Sequence, residues 1–288
     1  KLDAIVIDEI SMVRSDLLDC VDRFMRLNGK HPKLPFGGVQ MIMIGDLYQL
    51  APVVTSKEKD IFTNCYSSPY FFDAHAFEEF SMEFIELEKI YRQTDQNFIH
   101  LLNSIRNNSA TQDDLDELNE RFNPDFEPRH EDFFIYLTTT NLQALEINQI
   151  ELSRIKGKLH AYQGEKNGDF ESKYLPTAMD LFVKEGAQIM MLNNDSMGRW
   201  VNGSLGDIIE IISEDNERDI IRVKLTDGSL VDVTPHTWKL SRFIYDKEAD
   251  KLSTETIGSF TQYPVMLAWA VTIHKSQRKT YDRVIIDI

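Results

Sequence analysis

The 288-residue sequence holds only two cysteines, Cys20 and Cys65, in unrelated contexts and without metal-ligand spacing. That excludes a disulfide framework or a zinc cluster and predicts two buried free thiols. It has no eighteen-residue apolar span, which argues against a membrane helix. It also lacks the basic flank, apolar run and small-residue cleavage site of a secretion signal, so a soluble, cytoplasmic chain without a membrane partner is expected. Basic residues are the scarcer sign: 31 Lys and Arg stand against 47 Asp and Glu, for a net charge of −16. A protein that coats itself in nucleic acid needs clustered cations, so the balance points weakly away from DNA, although it allows a narrow basic channel on an acidic body. Internal repeats and low-complexity segments are absent. So is any GxxxxGK[ST] phosphate loop: Gly29-Lys30 is followed by His31 and lacks the earlier glycine, and Gly157-Lys158 fails likewise.

What is present is a globular composition, with 42% hydrophobic and 27% charged residues, long enough for two domains or one large one. Residues 4–7 of KLDAIVIDEISMV form a short β-branched run without polar alternation, which predicts a strand buried on both faces of a parallel sheet. From Ser15 the period changes: Leu17, Leu18, Val21, Phe24 and Met25 predict a helix that Asn28-Gly29 stops. A second apolar strand, 39–44, ends in Gly45-Asp46, so strand, helix and strand make a βαβ unit with polar groups at each strand's C-terminal end. An apolar segment at 84–90 precedes helices around Phe98–Ile105 and at 111–121, and FNPDFEP marks a loop and a domain boundary. FFIYLTTT and NLQALEINQIELSRI then begin a second α/β unit. Beyond it the pattern turns β-rich, with Asp227-Gly228 a hairpin signal, which predicts a small antiparallel barrel inserted in the second unit.

Asp8-Glu9 at a strand end suits a nucleoside triphosphatase, in which one carboxylate holds the hydration shell of Mg²⁺ and the next activates water. The plain alternative is an acid pair at a helix start. GDLYQLAPV follows the next strand at the same sheet edge, where the Gln49 amide can hydrogen-bond a γ-phosphate or the lytic water. Its plain alternative is an ordinary Gly-Asp turn.

These segments resemble, in order, motifs of superfamily-one DNA helicases of the RecD and Pif-type branch. IVIDEISM is similar to the Walker B motif, IGDLYQLAPV to the third motif, LEKIYRQTDQNFIHLLNSIR to the fourth, TTTNLQALEIN to the opening of the second RecA-like domain, WVNGSLGDI to the approach to an SH3-like barrel, and AVTIHKSQRKTYDRVIID to the fifth motif. The resemblance spans nearly the whole chain and implies an α/β fold of two RecA-like parallel-sheet domains, the first truncated, with an SH3-like β-barrel inserted in the second. It implies domain one over 1–128, domain two over 129–195 and 263–288, and the barrel over 196–262. It further implies ATP and Mg²⁺ as cofactors, single-stranded DNA as partner, and 5′→3′ translocation. Asp8 would hold Mg²⁺ through water and Glu9 activate the attacking water, with Gln49 and Arg92 at the γ-phosphate and Gln277 at the nucleotide. Thr272, His274, Lys275 and Ser276 would lie along the DNA backbone, with Thr139 and Asn141 as further contacts. Without the motif, Arg92 reads as a surface partner of Glu88. Trp200, Trp238 and Phe243 either stack bases or fill the barrel core.

Two departures qualify the resemblance. The family's phosphate loop belongs upstream of Lys1 and its sixth motif beyond Ile288, so the chain reads as part of a longer helicase that by itself hydrolyses ATP poorly. Arg278 replaces a glycine of the fifth motif, where a side chain costs backbone freedom and offers a further cation. Two rivals from other classes remain: a non-catalytic single-strand-binding or assembly subunit, and an ATPase switch that does not act on DNA.

Overall fold

The computed structural model describes residues 2–91, 93–129, 132–213, 218–246, 251–277 and 279–286. The chain divides into two compact units, residues 1–125 and 126–288. Both mix helices with parallel strands, as the α/β expectation requires.

The first unit begins with β1 (Ala4–Asp8), a 3₁₀ turn (Ile10–Met12) and α1 (Ser15–Asn28), then β2 (Gln40–Ile44), which pairs parallel to β1 in the register Ala4↔Gln40 to Asp8↔Ile44. Leu18, Val21 and Met25 repeat at helical spacing and turn one stripe of α1 onto a core of Ile10, Phe36, Phe71, Ala74 and Ala76. From the sheet, Ile5, Ile7, Met41 and Met43 meet that core. The expectation of strands covered on both faces is corrected here: alternate residues Val6, Ile42 and Ile44 are exposed, so the ladder is covered on one side. An unbroken apolar run forces both faces of a strand to be apolar, but it does not supply two covers. The thiols are corrected too. Cys20 and Cys65 are both exposed, Cys20 because it lies two residues, and so more than half a turn, from the buried Leu18.

After α2 (Lys59–Cys65), the apolar stretch at 84–90 has no regular structure, and Phe84, Ile85 and Leu87 are exposed. Helix α3 (Gln96–Arg106) is capped by Asp95, whose carboxylate accepts from the Asn97 and Phe98 amides, and α4 (Gln112–Asn119) by a reciprocal Thr111–Asp114 box.

The second unit carries a parallel sheet of three strands in which β3 (Ile135–Thr138) lies between β14 (Ala270–Thr272) and β15 (Val284–Ile286). Helix α5 (Asn141–Arg154), capped by the Thr140 hydroxyl, packs on it through Asn148, whose amide exchanges two hydrogen bonds with the Ala270 backbone at 2.9 and 3.0 Å. Between α5 and β14 the chain is antiparallel: β4 (His160–Gln163) with β6 (Asp180–Val183), and β5 (Glu165–Gly168) with the long pair β11 (His236–Asp246) and β12 (Lys251–Gln262). A five-stranded sheet has the order β10 (Leu230–Val233), β9 (Ile220–Leu225), β8 (Leu205–Ile212), β7 (Gln188–Met191), β13 (Val265–Leu267). It therefore takes in strands on both sides of 196–262. The Asp227-Gly228 turn joins β9 to β10, with Gly228 at a φ of 87° that glycine adopts without strain. Gln188, buried in this core, donates to the Phe134 and Ala268 carbonyls at 3.1 and 2.9 Å and so ties the antiparallel sheet to the parallel one.

Candidate functional site

Parallel pairing puts the C-terminal ends of β1 and β2 at the same edge, so Asp8-Glu9 and the Gly45–Gln49 loop emerge side by side. Gly45 sets how close they come: a Cβ there would lie 2.9 Å from both the Ile10 amide nitrogen and its Cγ2, so only glycine lets the second loop press against the turn that follows Glu9. Asp8 accepts from the Glu9 amide at 2.9 Å. Glu9 adopts a left-handed conformation, φ 55° and ψ 44°, and caps the 3₁₀ turn. A carboxyl residue in that region is strained, and such strain concentrates at functional positions.

In the second loop Asp46 is the organiser. Its Oδ1 accepts from the Tyr48 amide at 3.0 Å and its Oδ2 from Gln49 Nε2 at 3.2 Å, while the Gln49 amide reaches the Asp46 carbonyl at 3.1 Å. Arg106, at the end of α3, pairs with the same Oδ2 at 3.1 Å and lies over the Tyr48 ring at 4.9 Å. In the sequence this arginine is the last residue of LEKIYRQTDQNFIHLLNSIR, and nothing local to either segment signals the contact. Arg92 lies outside the described residues.

The second unit gathers the remaining candidates at one edge of its own sheet. Thr272 ends β14 in register with Thr138, so Thr139, just beyond β3, and Asn141, which opens α5, leave the sheet at the same edge as 272–277. Thr272 is buried; His274 and Lys275 are exposed on the short helix α6 (Ile273–Ser276). The Ser276 hydroxyl is spent on the Ile273 carbonyl at 2.8 Å and that of Thr139 on Gln143 at 3.1 Å, while Gln277 ends the helix half-buried. Arg278 lies outside the described residues. Lys279 is half-buried, its ammonium 2.9 Å from the Met190 sulfur, and burial with the nearby Lys275 charge lowers its pKa. The aromatic question resolves for one ring. Trp200 is core, its indole donating to Asn193 at 2.9 Å under the Arg199 guanidinium, which lies 4.5 Å from the ring. Trp238 is half-buried against Phe260 and His236, and the side chain of Phe243 lies outside the described residues.

No helix among the described residues is long and apolar enough to cross a membrane. Residues 1–116 match the family model described as PIF1-like helicase. Along 293 aligned residues the chain is 29% identical to the ATP-dependent DNA helicase Pif1 of Bdellovibrio bacteriovorus, an alignment covering all of this chain and 61% of that protein. Among solved structures it is similar to a Bacteroides Pif1 in complex with ADP-AlF4, at a TM-score of 0.80 and 36% identity over 99% of this chain and 64% of that one. It is also similar to a Bacteroides Pif1 bound to single-stranded DNA, at 0.70 and 37% over 99% and 64%. The chain spans about half the length of the curated relatives it matches.

Proposed function

We propose that this chain, a member of the PIF1-like helicase family, is part of an ATP-dependent DNA helicase that moves along single-stranded DNA in the 5′→3′ direction. The observation that carries the reading is the convergence of Asp8, Glu9 and Gln49 on one sheet edge, pressed together at Gly45. In this reading 1–128 is one RecA-like domain, 129–195 with 263–288 the other, and 196–262 an SH3-like barrel. The two parallel sheets, one in each unit, support the first division, and antiparallel strands interrupt the second sheet between β3 and β14, over a wider stretch than 196–262.

Glu9, at the end of β1, accepts the proton of the attacking water, and its left-handed turn sets the direction in which the side chain leaves the backbone. Gln49 orients that water or meets the γ-phosphate without adding charge. Arg92 neutralises charge on the transferring phosphoryl group with its planar fork, and Gln277 contacts the nucleotide. The donor set suits Mg²⁺: Asp8 is an exposed hard oxygen ligand at the strand end, of the kind that holds this ion through its retained waters. When bound, the ion supplies neutralisation of the phosphate oxygens. Thr139, Asn141, Thr272, His274, Lys275 and Ser276 position the DNA backbone through hydroxyl, amide, imidazole and ammonium groups, which read no sequence. The two similar Bacteroides Pif1 structures, one in complex with ADP-AlF4 and one bound to single-stranded DNA, support this pairing of ligands.

The test is Glu9→Gln in the full-length protein. It should retain nucleotide and DNA binding and lose DNA-stimulated turnover by about 10²–10⁴-fold, the range for a general base. Turnover at the wild-type rate overturns the assignment. Anisotropy of labelled single-stranded DNA at two salt concentrations separates a DNA motor, which binds with a clear salt slope, from a switch that never touches DNA.

A further inference from the structure

We infer that Arg106 is a positioning residue, which acts through Asp46 to hold the Gln49 side chain in one orientation; the inference rests on the reading of Gln49 as a nucleotide-site residue. One carboxylate oxygen, Asp46 Oδ2, receives both Gln49 Nε2 at 3.2 Å and the Arg106 guanidinium at 3.1 Å, while Oδ1 is held by the Tyr48 amide at 3.0 Å. Both carboxylate oxygens are thereby engaged, and the plane of Asp46 is fixed.

A carboxylate only accepts hydrogen bonds, so the amide must turn its nitrogen toward Asp46 and its Oε1 away. The two ends of a primary amide are nearly equal in size, and nothing steric separates its two flips. At this site the choice is electrostatic. An Oε1 presented to the site accepts a hydrogen bond from water, which is what orienting a nucleophile requires. Arg106 makes the choice durable: it neutralises Asp46 and stops the carboxylate from rotating toward solvent.

The delivery of Arg106 is itself rigid. Asp95 fixes the start of α3 by accepting two backbone amides, and Arg106 occupies the last turn, where a cation favours the helix dipole. At the far side its guanidinium lies over the Tyr48 ring at 4.9 Å, a contact that an ammonium on a flexible stem reproduces poorly. The contact thereby ties the C-terminal end of α3 to the Gln49 loop.

The experiment uses the full-length protein with selectively ¹⁵N-labelled glutamine amides, the Gln49 signal being identified by its loss in Gln49→Ala. In Arg106→Met that signal should shift, while the buried Gln188 amide stays in place. DNA-stimulated turnover should fall about tenfold, the scale of a small misplacement at a reacting centre. On the Gln49→Ala background Arg106→Met should add less than about a twofold loss, because both changes remove one function. Arg106→Lys should recover part of the turnover. The thermal midpoint should change little, since a pair still open to solvent on its arginine side adds little to stability. A Gln49 amide that does not move in Arg106→Met, or an equal loss on both backgrounds, overturns the inference. If the protein shows no DNA-stimulated turnover, the helicase reading fails, and the amide signal alone still decides whether Arg106 positions Gln49.

Discussion

At the scale of single residues, the molecule spends its charges on local order. Asp195 shows it in the loop between β7 and β8. Its carboxylate takes two bonds from the Arg199 side chain, at 2.8 and 2.9 Å, and accepts the Met197 and Arg199 amides, which together hold its pKa well below the usual carboxylate range. A depressed folded value means that its stabilisation is complete above the ordinary carboxylate pKa of about 3.9 and is lost progressively as the pH falls below it. Asp195→Asn should therefore melt lower than wild type at pH 7, and the gap should narrow at pH 3; a gap that widens on acidification would contradict the assignment. Residues at this scale were unevenly legible in the sequence. Asp8, Glu9 and Gln49 could be placed because each stands just after an apolar run, and strand ends of a parallel pair meet. Arg106 could not, because a helical arginine carries no mark of the distant carboxylate it will meet. Trp200 could be read either way until its indole was seen paired to Asn193 beneath Arg199.

At the scale of elements, periodicity settled type and bounds more readily than surroundings. The helical spacing from Ser15 and the Asn28-Gly29 stop correspond to α1, and Thr111 and Thr140 cap the helices that follow them. What covers each face was not legible. Leu17 and Phe24 belong to the same apolar pattern as Leu18 and Met25, yet they are exposed, because the core reaches one stripe of the helix only. The same holds for Val6 and Ile42 on the sheet: a wholly apolar run does not say which of its faces is packed. Leu18 is the test of where the core lies. It is fully buried among Ile10, Phe36 and Phe71, and Leu18→Ala should cost the first unit about 2–5 kcal/mol, the range for leucine truncation in a packed interior. The urea midpoint, followed by far-UV signal, reads it, and Leu17→Ala, on the exposed side, should leave it nearly unmoved.

At the scale of the whole molecule, the division at 125/126 falls within FNPDFEP, where two prolines and few apolar anchors leave the backbone without regular structure. Phe122 is 76% exposed just before it. Brief chymotrypsin treatment should cut at the exposed irregular segments, after Phe122 and between Phe84 and Tyr91, and leave the second unit resistant, readable by mass spectrometry; early cleavage inside α5 or β8 would contradict the two-unit division. The molecule's stability also has one point of conflict with its chemistry. The left-handed backbone at Glu9 costs about 1–2 kcal/mol for a residue with a side chain, more than the roughly 0.5–1 kcal/mol of backbone entropy that glycine would lose there. Glycine at position 9 would relieve that cost and remove the carboxylate with it, so under the proposed function the residue that does the chemistry is also the one that strains the turn.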